Sequence, residues 1–175
     1  MIKKDNTLIL DKKLLSKALL EDLKERNFRF FSGVPDSEFK YLIPLIIEDS
    51  ELVYLPATRE DLAIGASVGA NLTGKYKSVT FMENSGLGNI CDALTSLVSV
   101  YKIPTFMMIA WAGYKGEDVP HHNIMGLSMC SLLDSLGISY IEFDSNNQTA
   151  ILNECEEILN QGSSVALLIK PGCLK

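Results

Sequence analysis

The feature that most constrains this chain is an alternation. Short apolar runs, each followed by a break rich in Gly, Pro, Asn or Ser, alternate with segments whose apolar residues recur at helical spacing. The runs at 28–31, 52–55, 78–82, 104–110, 140–143 and 165–169 predict strands. The run at 104–110 is apolar almost throughout, as a parallel strand covered on both faces requires. Helices are expected over 14–23, from Asp36 or Ser37 to about 48, over 58–72, from the turn at 84–89 to about 101, through 136 after an irregular stretch at 111–120, and near 148–160. Gly74 is placed to end the third of these in the left-handed conformation. Strands alternating with helices imply right-handed crossovers. The expected fold is therefore α/β, a three-layer, mainly parallel sheet with helices on both faces. No repeat, low-complexity segment or linker interrupts it, so residues 1–175 are read as one domain.

Charge and cysteine usage remove other classes. Sixteen Lys and Arg stand against 22 Asp and Glu, a formal net charge of −6, and no cationic cluster offers a face for phosphates; nucleic acid is not an expected partner. No apolar run reaches the length of a membrane span. Cys91, Cys130, Cys155 and Cys173 are far apart and form no C-x-x-C pair. Together with the lack of a visible secretory signal, this predicts reduced thiols in a cytoplasmic protein.

Two nucleotide-binding patterns fail on inspection. Gly69-x4-Gly74-Lys75 lacks the Ser or Thr of a phosphate loop, having Tyr76 instead, and it falls at a helix C-terminus, where the dipole repels anions. Gly86-Leu87-Gly88 follows a strand, but Cys91 stands where a third glycine belongs. The segment Asn84-Ser85-Gly86-Leu87-Gly88-Asn89 still reads in two ways, as a tight strand-to-helix connection or as a backbone that another molecule approaches closely.

Glu60 also has two readings. With Thr58 as N-cap it falls in the first helical turn, where a carboxylate complements the dipole; it is also an acid at the mouth of a helix carrying little bulk. In that helix Ala63, Gly65, Ala66, Ser67, Gly69 and Ala70 permit close packing, and two mid-helix glycines suggest a packing or interface requirement. His121 and His122, in a polar loop after Pro120, are either an exposed pair or proton-transfer groups. Their adjacent spacing gives no helical metal-binding face, so no metal site is expected. Asp36 is either a turn or cap residue or part of a site.

Taken together, these segments resemble the pyrimidine-binding half of thiamine pyrophosphate enzymes, specifically the phosphonopyruvate and sulfopyruvate decarboxylases. The resemblance covers roughly 10–170. It rests on Gly33-Val34-Pro35-Asp36-Ser37, Arg59-Glu60-Asp61, the turn from Asn84 to Asn89, Trp111-Ala112-Gly113 and Pro120-His121-His122-Asn123-Ile124-Met125-Gly126. It implies that Glu60 hydrogen-bonds N1′ of the cofactor's aminopyrimidine and promotes the imino tautomer that removes the thiazolium C2 proton. It further implies that Asn84, Ser85, Gly86, Leu87, Gly88 and Asn89 pack beside the aminopyrimidine. Asp36, Ser37, Arg59, His121 and His122 would face a small 2-oxoacid, the histidines as proton donors or electrostatic partners. Where full-length phosphonopyruvate enzymes commonly carry Trp-Arg-Gly, this chain has Trp111-Ala112-Gly113, and the identity of the 2-oxoacid stays open.

The resemblance also implies a partner. Family members hold magnesium and the diphosphate through a Gly-Asp-Gly…Asn motif, and no Gly-Asp-Gly occurs in this sequence. The expectation is an α subunit of a two-component decarboxylase, with the metal on a β subunit, in a hetero-oligomer such as α2β2 or larger. Two alternatives remain: a carboligase subunit using the same cofactor, and a non-catalytic α/β scaffold subunit, which would have no need to keep Glu60.

Overall fold

The computed structural model describes residues 2–175, with side chains from Leu8 onward. Six strands, β1 (Phe28–Gly33), β2 (Val53–Pro56), β3 (Lys77–Glu83), β4 (Phe106–Ala110), β5 (Ser139–Glu142) and β6 (Val165–Ile169), form one sheet in the order β2-β1-β3-β4-β6-β5. Every neighbouring pair is parallel. The helices are α1 (Ile2–Glu25), α2 (Leu42–Glu48), α3 (Glu60–Leu72), α4 (Leu87–Asp92), α5 (Pro120–Ser135) and α6 (Gln148–Asn160).

Strand alternation divides the interior into two cores. Phe106, Met108 and Ala110 of β4 and Val165, Leu167 and Ile169 of β6 pack with α1, α2 and α6. Met107 and Ile109, with Ala166 and Leu168, pack with α3, α4 and α5. Right-handed crossovers dictate this division: connections running one way along the sheet cover one face, and those running the other way cover the opposite face. The expected three-layer parallel architecture is the one observed.

Strand order also fixes where a ligand can sit. The chain leaves β1 toward β2 and leaves β3 toward β4, so adjacent strands send their connections in opposite directions. That opens a crevice at the carboxyl ends of β1 and β3. Gly33 makes the close approach of these ends possible, because a Cβ there would collide with the Phe81 carbonyl oxygen and ring. The link after β2 is held to the same place by Ala57 N–H donating to Gly33 O (2.9 Å), which delivers Glu60 to the crevice.

Local details depart from expectation. The segment from Asp36 is a short 3-10 turn, Ser37–Phe39, capped by Asp36, whose side chain accepts from Glu38 N; α2 starts only at Leu42. α3 is entered through Arg59 in extended conformation with no side-chain cap, so Thr58 is not its N-cap. Arg59 instead reaches Asp61 with two hydrogen bonds (3.1 and 3.0 Å). After α4 the helix widens into a π segment, Ala93–Ser99. β4 starts at Phe106, not at Pro104. Gly74 does take the left-handed conformation (φ +66°).

The small residues of α3 divide by face. Ala63 and Ser67 are buried against the sheet, where Thr80 Oγ1 and Ser67 Oγ share a hydrogen bond of 2.7 Å. Gly65 and Gly69 point away, with nothing within 4 Å of where a Cβ would stand. Leu62 and Leu72 lie exposed beside them.

Candidate active site

The site is built from the ends of β1, β3 and β4. Glu60 is the first residue of α3. Its Oε2 accepts from Asn89 Nδ2 at 2.7 Å, and its side chain lies flat against Gly86. A Cβ on Gly86 would stand 2.5 Å from Glu60 Cγ and 2.7 Å from Cδ. The turn after β3 and the first acid of α3 thus form one unit, in which glycine makes room for a carboxylate and an amide orients it. No other hydrogen bond holds this carboxylate among the described residues.

The rest of the turn faces other neighbours. Asn84 is buried and donates through Nδ2 to Ala112 O (2.8 Å), tying the ends of β3 and β4 together. Ser85 Oγ donates to Glu83 Oε1 (2.6 Å). Leu87 is wholly buried in the core, and Gly88 is exposed.

At the carboxyl ends of β3 and β4, beside Glu83 and Ala110, lies a cleft of about 160 Å³. Asp36, Ser37, Glu83, Ala112, Asp118 and His122 are among the residues lining it. The expected loop placement of the histidines is corrected here: both lie in the first turn of α5, with Pro120 at the first helical position. Proline fits there because its missing N–H would have had no helical partner. The two are not equivalent. The His122 ring packs edge-on to His121 (centroids 4.2 Å apart) and lines the cleft, whereas His121 is exposed and does not. Arg59 is also absent from the cleft lining, its guanidinium being engaged by Asp61 at the surface.

Three acids that the sequence reading did not single out frame this cleft. Glu83, at the end of β3, lies 3.9 Å from His122 Nε2. Asp118 meets His122 Nδ1 at 3.0 Å; the N–H groups of Val119 and Gly113, with His122, hold its carboxyl well below the usual range, at about 2. Glu38 is buried and accepts from Gly172 N (2.9 Å) and Leu174 N (2.8 Å), and Lys175 Nζ lies 3.6 Å away. A clue existed for Asp118, an acid just ahead of a proline-initiated helix. For Glu38 there was none, because its partners are more than 130 positions away.

Glycines fix the approach of α5 to the β4 connection. Gly113 is left-handed (φ +73°), and a Cβ there would strike the His122 carbonyl. A Cβ on Gly126 would strike the Gly113 and Ala112 backbone. Trp111 Nε1 donates to Gly126 O (2.8 Å) across the same contact. Among the described residues, no cluster of three or more His, Cys, Asp or Glu is placed to hold a metal ion, and no helix is long and apolar enough to cross a membrane.

No protein-family model matches the chain. The sulfopyruvate decarboxylase subunit alpha of Methanocaldococcus jannaschii is 40% identical over 119 residues, an alignment covering 68% of this chain and 70% of that protein. The phosphonopyruvate decarboxylase of Streptomyces viridochromogenes is 39% identical over 104 residues, 59% of this chain and only 26% of that longer protein. Among solved structures, a 2-oxoglutarate:ferredoxin oxidoreductase from Magnetococcus marinus superposes with a TM-score of 0.61 over 91% of this chain and 29% of its own, at 16% identity, a likeness of fold alone. The chain belongs to the family of sulfopyruvate decarboxylase α subunits.

Proposed function

We propose that this chain is the α subunit of a two-component, thiamine pyrophosphate-dependent 2-oxoacid decarboxylase acting on sulfopyruvate, phosphonopyruvate or a close analogue. In this reading a β subunit supplies magnesium and the diphosphate site, and the two chains form a hetero-oligomer. The observation that carries the reading is the Glu60 carboxylate, laid over Gly86 and oriented by Asn89 Nδ2. That donor set fits an aminopyrimidine edge: one carboxylate oxygen is taken by Asn89 and the other is left for a ring nitrogen. When bound, the cofactor supplies the thiazolium electron sink for decarboxylation.

The chain's own residues orient and move protons. With the cofactor bound, Glu60 would share a proton with N1′, and the backbone of the turn from Asn84 to Asn89 would lie beside the ring. Asp36, Ser37 and His122 face the reacting end of the substrate from the cleft. At about 160 Å³ the cleft is smaller than the roughly 300–1,000 Å³ of a complete ligand pocket. That size suits half of a site closed by another chain. The uncovered face of Leu62, Gly65, Gly69 and Leu72 on α3 also favours a partner.

Glu60→Gln tests this reading in the assembled complex. Exchange of the cofactor's C2 proton, read by NMR after acid quench, is expected to slow by roughly 10²–10⁴-fold, the range for a positioned proton-transfer group. If Glu60 merely complemented the helix dipole, the variant would lose ~0.3–1 kcal/mol of stability and keep its exchange rate; that outcome removes the mechanism. Product analysis on the same complex separates decarboxylation, which releases the aldehyde, from carboligation, which yields an acyloin.

A further inference from the structure

We propose that Asp118 is a positioning residue that holds the His122 ring as its Nδ1–H tautomer, so that Nε2 is the nitrogen turned toward the cleft and the one that carries a proton to or from substrate. The inference rests on reading His122 as a group that faces substrate. It goes further by dividing the roles of the two histidines and naming what orients the active one.

Asp118 receives three N–H groups. Oδ1 accepts from Val119 N (2.7 Å), and Oδ2 accepts from Gly113 N (3.0 Å) while meeting His122 Nδ1 at 3.0 Å. A carboxylate already bonded to two backbone donors is an acceptor only, so the proton on the third contact belongs to the imidazole. The depressed pKa of Asp118, about 2, keeps it ionised across the neutral range. The acid is itself fixed: its N–H donates to Asn123 Oδ1 (3.1 Å), and Asn123 Nδ2 donates to its carbonyl (3.0 Å).

With Nδ1 committed, Nε2 is left with a lone pair. No donor among the described residues reaches that lone pair in the neutral ring, and Glu83 Oε1, 3.9 Å away, is itself only an acceptor. Once Nε2 is protonated, Glu83 lies close enough to act as its counter-ion. The other charged or titratable groups around the ring are His121 on its own helix and, lining the cleft with it, Asp36, Glu38 and Lys175. His121 has neither the cleft nor an anchoring acid. A purely structural Asp118 would need only its two backbone contacts, and the His122 tautomer would be indifferent to it.

The test uses the full chain labelled with 15N and long-range 1H–15N correlation of imidazole nitrogens above the pH at which the rings titrate. The chain has only two histidines, and His121→Gln assigns them. The expected result is a protonated Nδ1 on His122 in the wild-type chain. Asp118→Ala should lose that preference. Asp118→Asn with its amide oxygen on the Val119 N–H turns NH₂ to both the ring and the Gly113 N–H, gives up the Gly113 contact and should reverse the tautomer. In the assembled complex Asp118→Asn is expected to lower kcat by roughly 10–10³-fold, short of the ~10⁴ seen when a triad histidine is forced into the wrong tautomer, with KM changed less than about threefold. Three results each overturn the proposal: an Nε2–H tautomer in the wild-type chain, a tautomer unmoved in a folded Asp118→Ala chain, or wild-type kcat despite a reversed tautomer. The tautomer readout needs neither cofactor nor partner. Its failure is therefore distinct from failure of the decarboxylase reading, which Glu60→Gln decides.

Discussion

The three atoms nearest a methyl group on Gly86 would all belong to the Glu60 side chain. The Gly86 backbone is ordinary (φ −69°, ψ −15°), so alanine carries no conformational penalty there, and what must yield is a flexible side chain at a helix end. Gly86→Ala is therefore expected to cost about 1 kcal/mol or less in stability while driving the carboxylate off its seat. In the assembled complex, C2 proton exchange should fall toward the Glu60→Gln rate. The double variant Glu60→Gln with Gly86→Ala should be no slower than Glu60→Gln alone, because both changes remove the same interaction. Exchange at the wild-type rate in Gly86→Ala would mean that the packing of Glu60 on this turn has no bearing on the chemistry. Both residues were visible in the sequence as an acid at a helix start and a glycine-rich turn. Their contact was not, because it joins two crossovers across the switch point.

At the scale of elements, the start of α5 is placed by glycine against glycine. A Cβ on Gly126 meets backbone of Gly113 and Ala112, which cannot rotate away as Glu60 can. Gly126→Ala should therefore cost ~1–3 kcal/mol, the usual range for overpacking, and lower the melting temperature by several degrees. It should also strain the Trp111 Nε1 to Gly126 O hydrogen bond, so a blue or red shift of the chain's one tryptophan is a second readout. An unchanged melting temperature would show that the helix slides without cost. These contacts explain what was legible beforehand. Alternation of strand and helix follows from apolar periodicity, and the parallel order follows from crossovers too long for hairpins; both are local or chiral rules. The histidines were expected in a loop because Pro120 reads equally as a loop residue and as a first helical residue, and only the docking of α5 on Gly113 distinguishes the two. Thr58 looked like a cap by type, yet the entry to α3 is set by the Ala57 to Gly33 hydrogen bond and the Arg59–Asp61 pair. Glu83 and Asp118 escaped notice because an acid at the end of a strand or ahead of a helix is ordinary until a ring is found beside it.

For the whole molecule, cofactor binding depends on what one end of one sheet can offer. The switch point gathers Glu60, the turn after β3 and the His122 cleft at the carboxyl ends of β1, β3 and β4, but these groups are ill suited to hold a diphosphate by themselves. Asp36, Glu38, Glu83 and Asp118 line the cleft against His122 and Lys175, so its field does not draw in a multiply charged anion. What the chain presents is a polar edge for a flat heterocycle, a contact of few atoms. Thiamine pyrophosphate with magnesium is therefore expected to bind the isolated chain weakly, with a Kd of about 1 mM or above, equivalent to ~4 kcal/mol or less. If, as proposed, a β subunit holds the cation, affinity should rise by orders of magnitude when it is added, because the cation would offset the diphosphate charge and the heterocycle contact would become intramolecular. Calorimetry on the chain alone, the partner alone and the mixture checks this, with decarboxylase activity expected only in the mixture. Tight, magnesium-dependent binding by this chain alone would overturn the two-subunit reading and place the whole cofactor site within these residues.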